Sequence, residues 1–329
     1  MKVAQSPFVT VAVCTRDRPD QLRALLDSVC DLDIPSGVEW ELLVIDNGTG
    51  GGASSKLIGT FAGSLPIRLV REPVGGLSHA RNRAVEEARG EYICWVDDDT
   101  IVDRGWLKAY LTAFRRHPEA SVFGGRIEAR LEEPVPRWIR ASRDAWQVKC
   151  MFAELDFATA APILMDRDHT PWGANYAIRR IEQKRFGYDP DLGLSPDHNR
   201  SGEESDLIYR LLASGGSGRW VPEALVHHLI PQSRLTRSYA RSYFTRAGET
   251  SAFLEARGAV PPGRAALILG IALHRLLYLA ANMVGHSRLS VRFLARGSEY
   301  RGRLNHAKAR MSRSASPLVP SSRSGPASC

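Results

Sequence analysis

Alternating apolar and amphipathic segments run through the first part of the chain. Nearly continuous apolar, β-branched runs cover residues 8–15, 40–47, 66–71 and 91–98. Such runs are typical of strands that a parallel sheet buries on both faces. Apolar residues at helical spacing fill the intervening segments 19–30, 53–62 and 77–89. This order predicts an α/β fold, Rossmann-like, with a doubly wound, mainly parallel sheet whose ligands gather beyond the carboxyl ends of the strands.

The alternation continues more loosely along the rest of the chain. Further helices are predicted at 103–117 and 203–213, and further strands at 121–127, 172–178 and 219–228. Residues 132–170 contain proline clusters and no clear period, which predicts an irregular insertion over the sheet edge. We therefore expect one α/β domain over residues 1–232, a C-terminal helical region over 233–311 whose last long helix ends at Gly285, and a disordered basic tail over 312–329.

The net charge of +8 is concentrated at the C-terminal end. Lys and Arg occur nine times from Ser287 onward, against the single acid Glu299, so the body of the chain is close to neutral. A nucleic-acid-binding body normally has a basic surface of its own, and we expect no nucleic acid partner.

The cysteines and the N-terminus indicate the compartment. The five cysteines are widely spaced without a CxxC pair, which predicts neither a zinc site nor a disulfide framework. The first ten residues contain no apolar core of a signal peptide. Both features favour a cytoplasmic location.

Three consecutive carboxylates, Asp97, Asp98 and Asp99, follow an apolar strand. At the tip of a buried strand they repel one another and need a counter-charge. A divalent cation that prefers oxygen ligands, Mn²⁺ or Mg²⁺, supplies it and also binds a substrate diphosphate. A solvated acidic turn is the alternative, but the position at the ligand edge of a parallel sheet favours the ion.

Two further strand ends carry polar side chains. Thr15 and Arg16 end the first strand, and Asp46 ends the second. The Asp46 carboxylate can accept hydrogen bonds from a base or a ribose, or it can form a turn with Asn47 and Gly48.

A pair of glycines, Gly75 and Gly76, precedes the helix that carries Arg81. Glycines before a helix N-terminus form an anion site, to which Arg81 would add positive charge towards a pyrophosphate, although a flexible turn is the alternative. No GxGxxG follows the first strand and no GxxxxGK[ST] occurs, so the dinucleotide-dehydrogenase and P-loop interpretations lose their main support.

Together these segments resemble a family 2 glycosyltransferase with the GT-A fold. The resemblance rests on Thr-Arg-Asp-Arg-Pro at 15–19, Val-Ile-Asp-Asn-Gly at 44–48, Gly-Gly-Leu-x-x-Ala-Arg-Asn at 75–82 and Tyr-x-x-x-x-Asp-Asp-Asp at 92–99. It covers about residues 8–232. It implies that Asp46 contacts the nucleobase, that Asp97 and Asp98 lie on the donor side with Asp98 against the ribose, and that Asp99 holds the metal.

Two downstream motifs extend the resemblance. Trp172, Gly173 and Asn175 lie in a segment similar to the family's acceptor-side strand entry. The segment Gly-Glu-Glu-Ser-Asp-Leu at 202–207 resembles the motif whose acid is the catalytic base. Glu204 stands where Asp is commoner, so Glu203 and Glu204 both remain candidates, and helix-dipole stabilisation alone would also explain these acids.

The histidine that ends the last predicted strand completes the list of candidate site residues. His228 is a candidate to complete the metal shell, with a structural histidine as the alternative. The resemblance implies an inverting transfer of a sugar from a nucleoside-diphosphate sugar, with a divalent metal, to a sugar, lipid-linked, peptide or small-molecule acceptor. A GT-A-like module that binds a nucleotide or glycan without turnover, and a nucleotidyltransferase, are the alternatives.

The apolar segment 265–284 is long enough to span a bilayer, but His274 and Arg275 lie near its centre. A central arginine costs about 2.5–3.5 kcal/mol on the insertion scale, so we expect an interfacial or partner-packing helix. The basic segment after it would touch anionic lipid, giving a peripheral position at the inner face of the membrane. A packed C-terminal helix with a solvated basic tail is the alternative.

Overall fold

The structure, a computed structural model, describes residues 8–50, 52–157, 169–257 and 263–314, with side chains as far as residue 309. One eight-stranded sheet, with strand order β3-β2-β1-β4-β7-β6-β8-β5, forms its centre. The strands are β1 Val9–Thr15, β2 Trp40–Asp46, β3 Ile67–Arg71, β4 Tyr92–Asp97, β5 Thr100–Val102, β6 Val122–Leu131, β7 Asn175–Arg179 and β8 Gly218–Ile230.

The helices follow the strands in an α/β arrangement before a purely helical end. They are α1 Pro19–Cys30, α2 Ala53–Gly59, α3 Leu77–Glu87, α4 Trp106–Arg116, α5 Arg137–Arg140, α6 Trp146–Met151, α7 Arg180–Phe186, α8 Glu203–Ala213, α9 Arg237–Glu255, α10 Arg264–Met283 and α11 Ser287–Ser314. A 3₁₀ turn, Gln232–Arg234, joins β8 to α9.

Side chains on the two faces of the sheet form separate cores. Val9, Val11 and Val13 of β1 pack with α1, α2 and α4, whereas Ala12 packs with α3 and α8. Because successive residues of a strand point to opposite faces, a continuous apolar run fills both cores. The predicted α/β fold with helices on both faces of the sheet is confirmed.

The sheet is mainly parallel but mixed. Strands β1 to β4 are parallel to one another, and β8 is parallel to β6. Strand β7 is antiparallel to both β4 and β6, and β5 is antiparallel to β8. As a result Asn175, the first residue of β7, pairs with Val96, at the edge where β4 ends.

The strand register brings the candidate residues to one edge. Thr15 of β1 pairs with Asp46 of β2, and Cys14 pairs with Asp97 of β4. On the far side of the sheet Thr100 pairs with His228. The carboxyl ends of the parallel strands therefore meet where ligands bind in open α/β sheets.

A third core joins the C-terminal helices to the middle of the chain. Ile139 and Val148, from α5 and α6, pack with Phe244 of α9 and Leu294 of α11. The segment predicted to be an irregular insertion therefore contains two short helices, and the part of it at 158–168 lies outside the described residues. Because this core includes residues from both sides of position 232, the division into an α/β domain and a helical region stays a prediction.

The C-terminal end contains more helix than the sequence pattern indicated. Gly285, with φ of +69°, follows the end of α10 as expected, but α11 begins two residues later and continues to Ser314. Residues 312–314 are thus helical instead of disordered, and the rest of the predicted tail lies outside the described residues. Helices α9 and α11 are in direct backbone contact. A Cβ added at Gly302 of α11 would lie only 1.9 Å from the carbonyl oxygen of Thr245 in α9, so this position leaves no room for a side chain.

Candidate active site

A cleft of about 530 Å³ lies at the carboxyl edge of β1 and β4. Residues from both halves of the chain line it, including Thr15, Arg16, Arg18, Arg81, Asp97, Asp98, Asp99, Trp172, Gly173, Glu203, Glu204, His228 and Arg234. Acidic and basic side chains thus share one concave, partly desolvated space, in which their charges interact more strongly than in water.

Asp99 is buried and lies beside the guanidinium groups of Arg234 and Arg18 and the imidazole of His228. Its Oδ2 accepts a hydrogen bond from Nη2 of Arg234 at 2.9 Å, and its Oδ1 lies 3.4 Å from Nε2 of His228. The guanidinium of Arg18 is 3.7 Å away. Burial disfavours the ionised carboxylate, but these groups outweigh it and hold the pKa of Asp99 well below its usual range.

His228 has one ring nitrogen bound to the backbone and one directed at Asp99. Its Nδ1 lies 2.7 Å from the carbonyl oxygen of Phe152, to which it donates. In this neutral tautomer Nε2 is an acceptor, and Nη1 of Arg234 donates to it at 3.1 Å. Burial lowers the pKa of His228, but Asp99 outweighs that effect and raises it.

The donor atoms of Asp99 and His228 suit a divalent cation. One carboxylate and one imidazole are ligands that Mn²⁺ accepts, and Mg²⁺ is commonly held by one or two carboxylates plus substrate phosphates. Over the residues that the structure describes, no group of three or more His, Cys, Asp or Glu side chains is arranged to hold an ion. An ion here would therefore take its remaining ligands from water or from a bound diphosphate, and Arg234 would have to leave the space between the two side chains.

Asp98 and Asp97 have different environments. Asp98 is buried and accepts hydrogen bonds from the Thr15 hydroxyl at 2.8 Å and from Arg18 at 3.2 Å. Burial and the neighbouring Asp99 raise the pKa of Asp98 to about 6, against the opposing effect of Arg18. The side chain of Asp97 is 39% exposed and lies 3.6 Å from Arg81. Of these two predicted donor-side carboxylates, Asp97 is the one open to a ligand.

Arg81 lies in the floor of the cleft and is 2% exposed. Its Nη1 donates to Oε1 of Glu203 at 2.7 Å, and the rings of Trp95, Tyr176 and Tyr188 surround the guanidinium at 5.6–5.7 Å. The expectation that Arg81 reaches towards a pyrophosphate finds no support in this geometry, because its charge is already paired with the carboxylates of the cleft.

Glu204 is the more open of the two adjacent glutamates. Its side chain is 13% exposed, whereas that of Glu203 is 4% exposed. The N–H of Gly173 donates to Oε1 of Glu204 at 3.2 Å, and Arg81 lies 3.7 Å from Oε2. Burial and the neighbouring Glu203 raise the pKa of Glu204 to about 7, although Arg81 opposes them. Glu204 can therefore exchange a proton near neutral pH.

The three predicted acceptor-side residues have different environments, since Trp172 and Gly173 line the cleft whereas Asn175 does not. Trp172 is half-buried in the cleft wall, with its ring 5.7 Å from that of Trp146. Gly173 lies beside Glu204, as described. Asn175, in contrast, is fully buried, and its side chain makes four hydrogen bonds within the protein. These join it to Trp106, Tyr110, Arg126 and Ala224. No polar atom of Asn175 is left for an acceptor, so the predicted acceptor contact is corrected to a structural role.

The two remaining candidates lie in different positions, and Asp46 is not among the described residues that line the cleft. Arg16 is exposed and lines the cleft. Asp46 lies at the tip of β2, where its Oδ1 accepts from the N–H of Gly48 at 3.0 Å, so the turn interpretation of this residue holds. Its predicted contact with a nucleobase stays a prediction.

Sequence reasoning missed three residues that shape the cleft. The sequence pattern does not mark Arg18 or Arg234 as site residues, although Arg18 lies three positions after Thr15 in the quoted motif. The turn that contains Arg234 has no period that marks it. Asn47 was assigned only to a turn, yet its Oδ1 accepts from the N–H of Gly76 at 2.8 Å and so fixes the glycine loop before α3.

Comparison with known proteins identifies the family. The model of glycosyl transferase family 2 matches residues 10–180, which is more than half of the chain. The chain therefore belongs to glycosyl transferase family 2.

Curated relatives agree with the family. The succinoglycan biosynthesis protein ExoM of Rhizobium meliloti (strain 1021) is 26% identical over 245 residues, which are 74% of this chain and 73% of ExoM. A pre-mycofactocin glycosyltransferase of Mycobacterium tuberculosis (strain CDC 1551 / Oshkosh) is 27% identical over 225 residues. That match spans 67% of this chain but only 42% of the relative.

Solved structures agree with the GT-A fold. The mannosyltransferase PcManGT from Pyrobaculum calidifontis, in complex with GDP-Man and Mn²⁺, superposes with a TM-score of 0.52 at 17% identity, over 96% of this chain and 77% of that one. S. aureus TarS 1-349, in complex with UDP-GlcNAc, superposes with a TM-score of 0.53 at 14% identity, over 92% of both chains.

Proposed function

We propose that the protein transfers a sugar from a nucleoside-diphosphate sugar to an acceptor hydroxyl, with inversion at the anomeric carbon and with a divalent metal. The observation that carries this proposal is the position of Glu204, a carboxylate of raised pKa, in the same cleft as Asp97 and Asp99. The complexes of the two structural neighbours, one with GDP-Man and Mn²⁺ and one with UDP-GlcNAc, support a nucleotide-sugar donor and a divalent ion.

Glu204 is the proposed general base. A pKa near the operating pH suits a group that takes a proton from the attacking hydroxyl. Glu203 is bound to the buried Arg81 and is the proposed positioning residue, because this pair anchors the start of α8 below the cleft. Direct displacement by one activated hydroxyl, without a nucleophile of the protein, inverts the anomeric centre.

The opposite side of the cleft is the proposed donor site. The open carboxylate of Asp97 can accept hydrogen bonds from the sugar or ribose hydroxyls of the donor, while Arg16, Arg18 and Arg234 offer positive charge to its diphosphate. Asp98, which also accepts a hydrogen bond from the Thr15 hydroxyl, holds Arg18 in place. When bound at Asp99 and His228, Mn²⁺ or Mg²⁺ supplies Lewis-acid stabilisation of the leaving diphosphate.

A peripheral membrane position belongs to the same proposal. Helix α10 has the length and composition of a membrane span, and only 11% of its apolar window is buried. Because Arg275 interrupts it, we propose that α10 lies in the interface at the inner face of the membrane. The acceptor would then be reached from the cytoplasm.

Two isosteric substitutions test the proposed base. Glu204→Gln should lower kcat by about 10²–10⁴-fold, the usual range for loss of a general base, with unchanged affinity for the donor. Glu203→Gln should mainly lower the melting temperature, because it removes a charge partner from the buried Arg81. Turnover is measured as nucleoside diphosphate released from UDP-, GDP-, dTDP- and CDP-sugars, and donor binding as a thermal shift.

Three outcomes would contradict the assignment. A Glu204→Gln variant that transfers sugar at the wild-type rate would remove Glu204 from the mechanism. A wild-type protein that binds a nucleotide sugar but neither transfers nor hydrolyses it over a broad acceptor panel would favour a non-catalytic binding module. Release of pyrophosphate from a nucleoside triphosphate and a sugar phosphate would favour a nucleotidyltransferase.

A further inference from the structure

A second cavity, of about 750 Å³, lies between α9, α10 and α11. Its volume is within the range of small-molecule sites. Four arginines line it, namely Arg241 and Arg246 from α9, Arg275 from α10 and Arg301 from α11. Glu249 is the one carboxylate among the described residues that line the cavity, and it accepts a hydrogen bond from Asn305 at 3.0 Å.

The four arginines have no ion-pair partner among the described residues, and Arg241, Arg275 and Arg301 are exposed to solvent. Within the described part of the chain, no carboxylate oxygen lies within 4.0 Å of the guanidinium of any of them. Arg303, two residues after Arg301 on α11, is by contrast bound to Glu255. Several arginines that face one cavity repel one another, and a bound anion would relieve that repulsion. The planar guanidinium suits phosphate oxygens in particular.

The cavity adjoins the proposed active site at α9. Tyr239, Tyr243 and Arg246 line the active-site cleft, and Arg246 lines the arginine cavity as well. The loop before α8 also borders both spaces, because Asn199 lines the arginine cavity and Ser201 lines the active-site cleft. The cavity and the cleft are therefore neighbours that share Arg246 as a lining residue.

The opposite side of the cavity adjoins an apolar surface. Leu279 lines the cavity and is also 49% exposed on the outer face of α10. The exposed apolar side chains on that face are Ile268, Leu269, Leu273, Leu276, Leu279 and Met283. They recur at helical spacing, so they form one stripe along the helix. A cationic cavity beside an apolar stripe is complementary to an amphiphile with an anionic group.

We propose that the arginine cavity binds the phosphate group of an acceptor that carries an apolar chain. The chain would lie along the outer face of α10, the phosphate among Arg241, Arg275 and Arg301, and the hydroxyl-bearing end beyond Arg246 in the cleft of Glu204. This inference rests on the proposed function, since it names the class of acceptor.

The test measures the affinity of the full chain for decyl phosphate, below its micelle concentration, by isothermal titration calorimetry. Decyl glucoside has the same chain without the charge and should bind at least tenfold more weakly. The double variant Arg241→Gln/Arg301→Gln should bind decyl phosphate at least tenfold more weakly than the wild type. The control Arg116→Gln/Arg292→Gln removes the same charge from exposed positions outside the cavity and should stay within twofold.

Three results would overturn the inference. The first is equal affinity of both double variants for decyl phosphate, and the second is equal binding of the glucoside and the phosphate. The third is binding to phosphatidylglycerol vesicles without affinity for monomeric decyl phosphate, which would assign the arginines to bilayer headgroups. Failure of the proposed function would instead appear as a lack of binding and turnover of every nucleotide sugar, with the decyl phosphate result unaffected.

Discussion

Arg234 stands between Asp99 and His228, the two predicted metal ligands. Its Nη2 lies 2.9 Å from Oδ2 of Asp99, and its Nη1 lies 3.1 Å from Nε2 of His228. A guanidinium and a divalent cation compete for this space, because both are positive and both need the same two side chains. Metal binding is therefore expected to displace Arg234, whose charge then becomes available to the donor diphosphate.

Removal of the Arg234 charge should increase the affinity for metal. Near a protein surface, unit charges about 4 Å apart interact by about 4 kcal/mol, so even a third of that energy corresponds to tenfold in binding. We expect Arg234→Met to bind Mn²⁺ at least tenfold more tightly than the wild type without nucleotide, as measured by calorimetry. Arg16→Met, which alters an arginine of the same cleft, is the control. Unchanged affinity in Arg234→Met would show that this arginine does not occupy the ion's position.

The raised pKa of Glu204 predicts the pH dependence of the reaction. Because a general base acts only when deprotonated, kcat/KM should rise tenfold per pH unit below pH 7 and level off above it. Glu204→Gln should abolish this rise of kcat/KM with pH and leave a low rate that does not depend on pH. If kcat/KM of the variant still rises with pH below pH 7, the titrating group is not Glu204.

The same group should affect stability with a defined sign. The folded-state pKa of about 7 lies above the ordinary value of 4.5, so the folded protein binds the proton more tightly. Its stabilising contribution is complete below pH 4.5 and is lost as the pH rises to 7. The melting temperature of the wild type, relative to Glu204→Gln, should therefore fall between these pH values and stay constant above them. A difference that rises with pH would contradict the raised pKa.

Substitutions of Asn175 and Trp172 should have different effects, the first on stability and the second on acceptor binding. Asn175→Ala leaves several buried groups without a hydrogen-bond partner, each at a cost of about 1–3 kcal/mol. It should lower the melting temperature strongly. Trp172→Ala, on the cleft wall, should raise the KM for the acceptor with a much smaller effect on melting. The reverse pattern would return Asn175 to the acceptor site.

The outer face of α10 should bind anionic membranes. Leu269→Gln/Leu276→Gln replaces two leucines that are 70% and 65% exposed, so the fold should persist. We expect flotation of the wild type with vesicles of phosphatidylcholine and phosphatidylglycerol, and loss of flotation in the double variant. Ile181→Gln, an equally exposed apolar residue on α7, is the control. Equal flotation of all three proteins would exclude this face as the membrane contact.

The positions of seven of the eight strands followed from the sequence because local patterns encode them, whereas the three-residue strand β5 was not predicted. A continuous apolar run specifies a strand with two buried faces, and four such runs with intervening amphipathic helices specify a parallel sheet. The edge at which Thr15, Asp46 and Asp97 meet follows from that topology, since parallel strands end on the same side. The fold class and the carboxylates at the strand ends could thus be predicted without coordinates.

The pairings inside the cleft could not be predicted, because they join positions far apart in the chain. Arg81 meets Glu203 and Asp99 meets Arg234 only after β8 and α8 have packed, and no spacing in the sequence reports such a contact. For the same reason Asn175 matched an acceptor motif while its side chain became fully hydrogen-bonded inside the fold. Local pattern determined which residues lie at the edge of the sheet. Tertiary packing decided which of them are already paired and which, as with Glu204 and Asp97, remain open to a ligand.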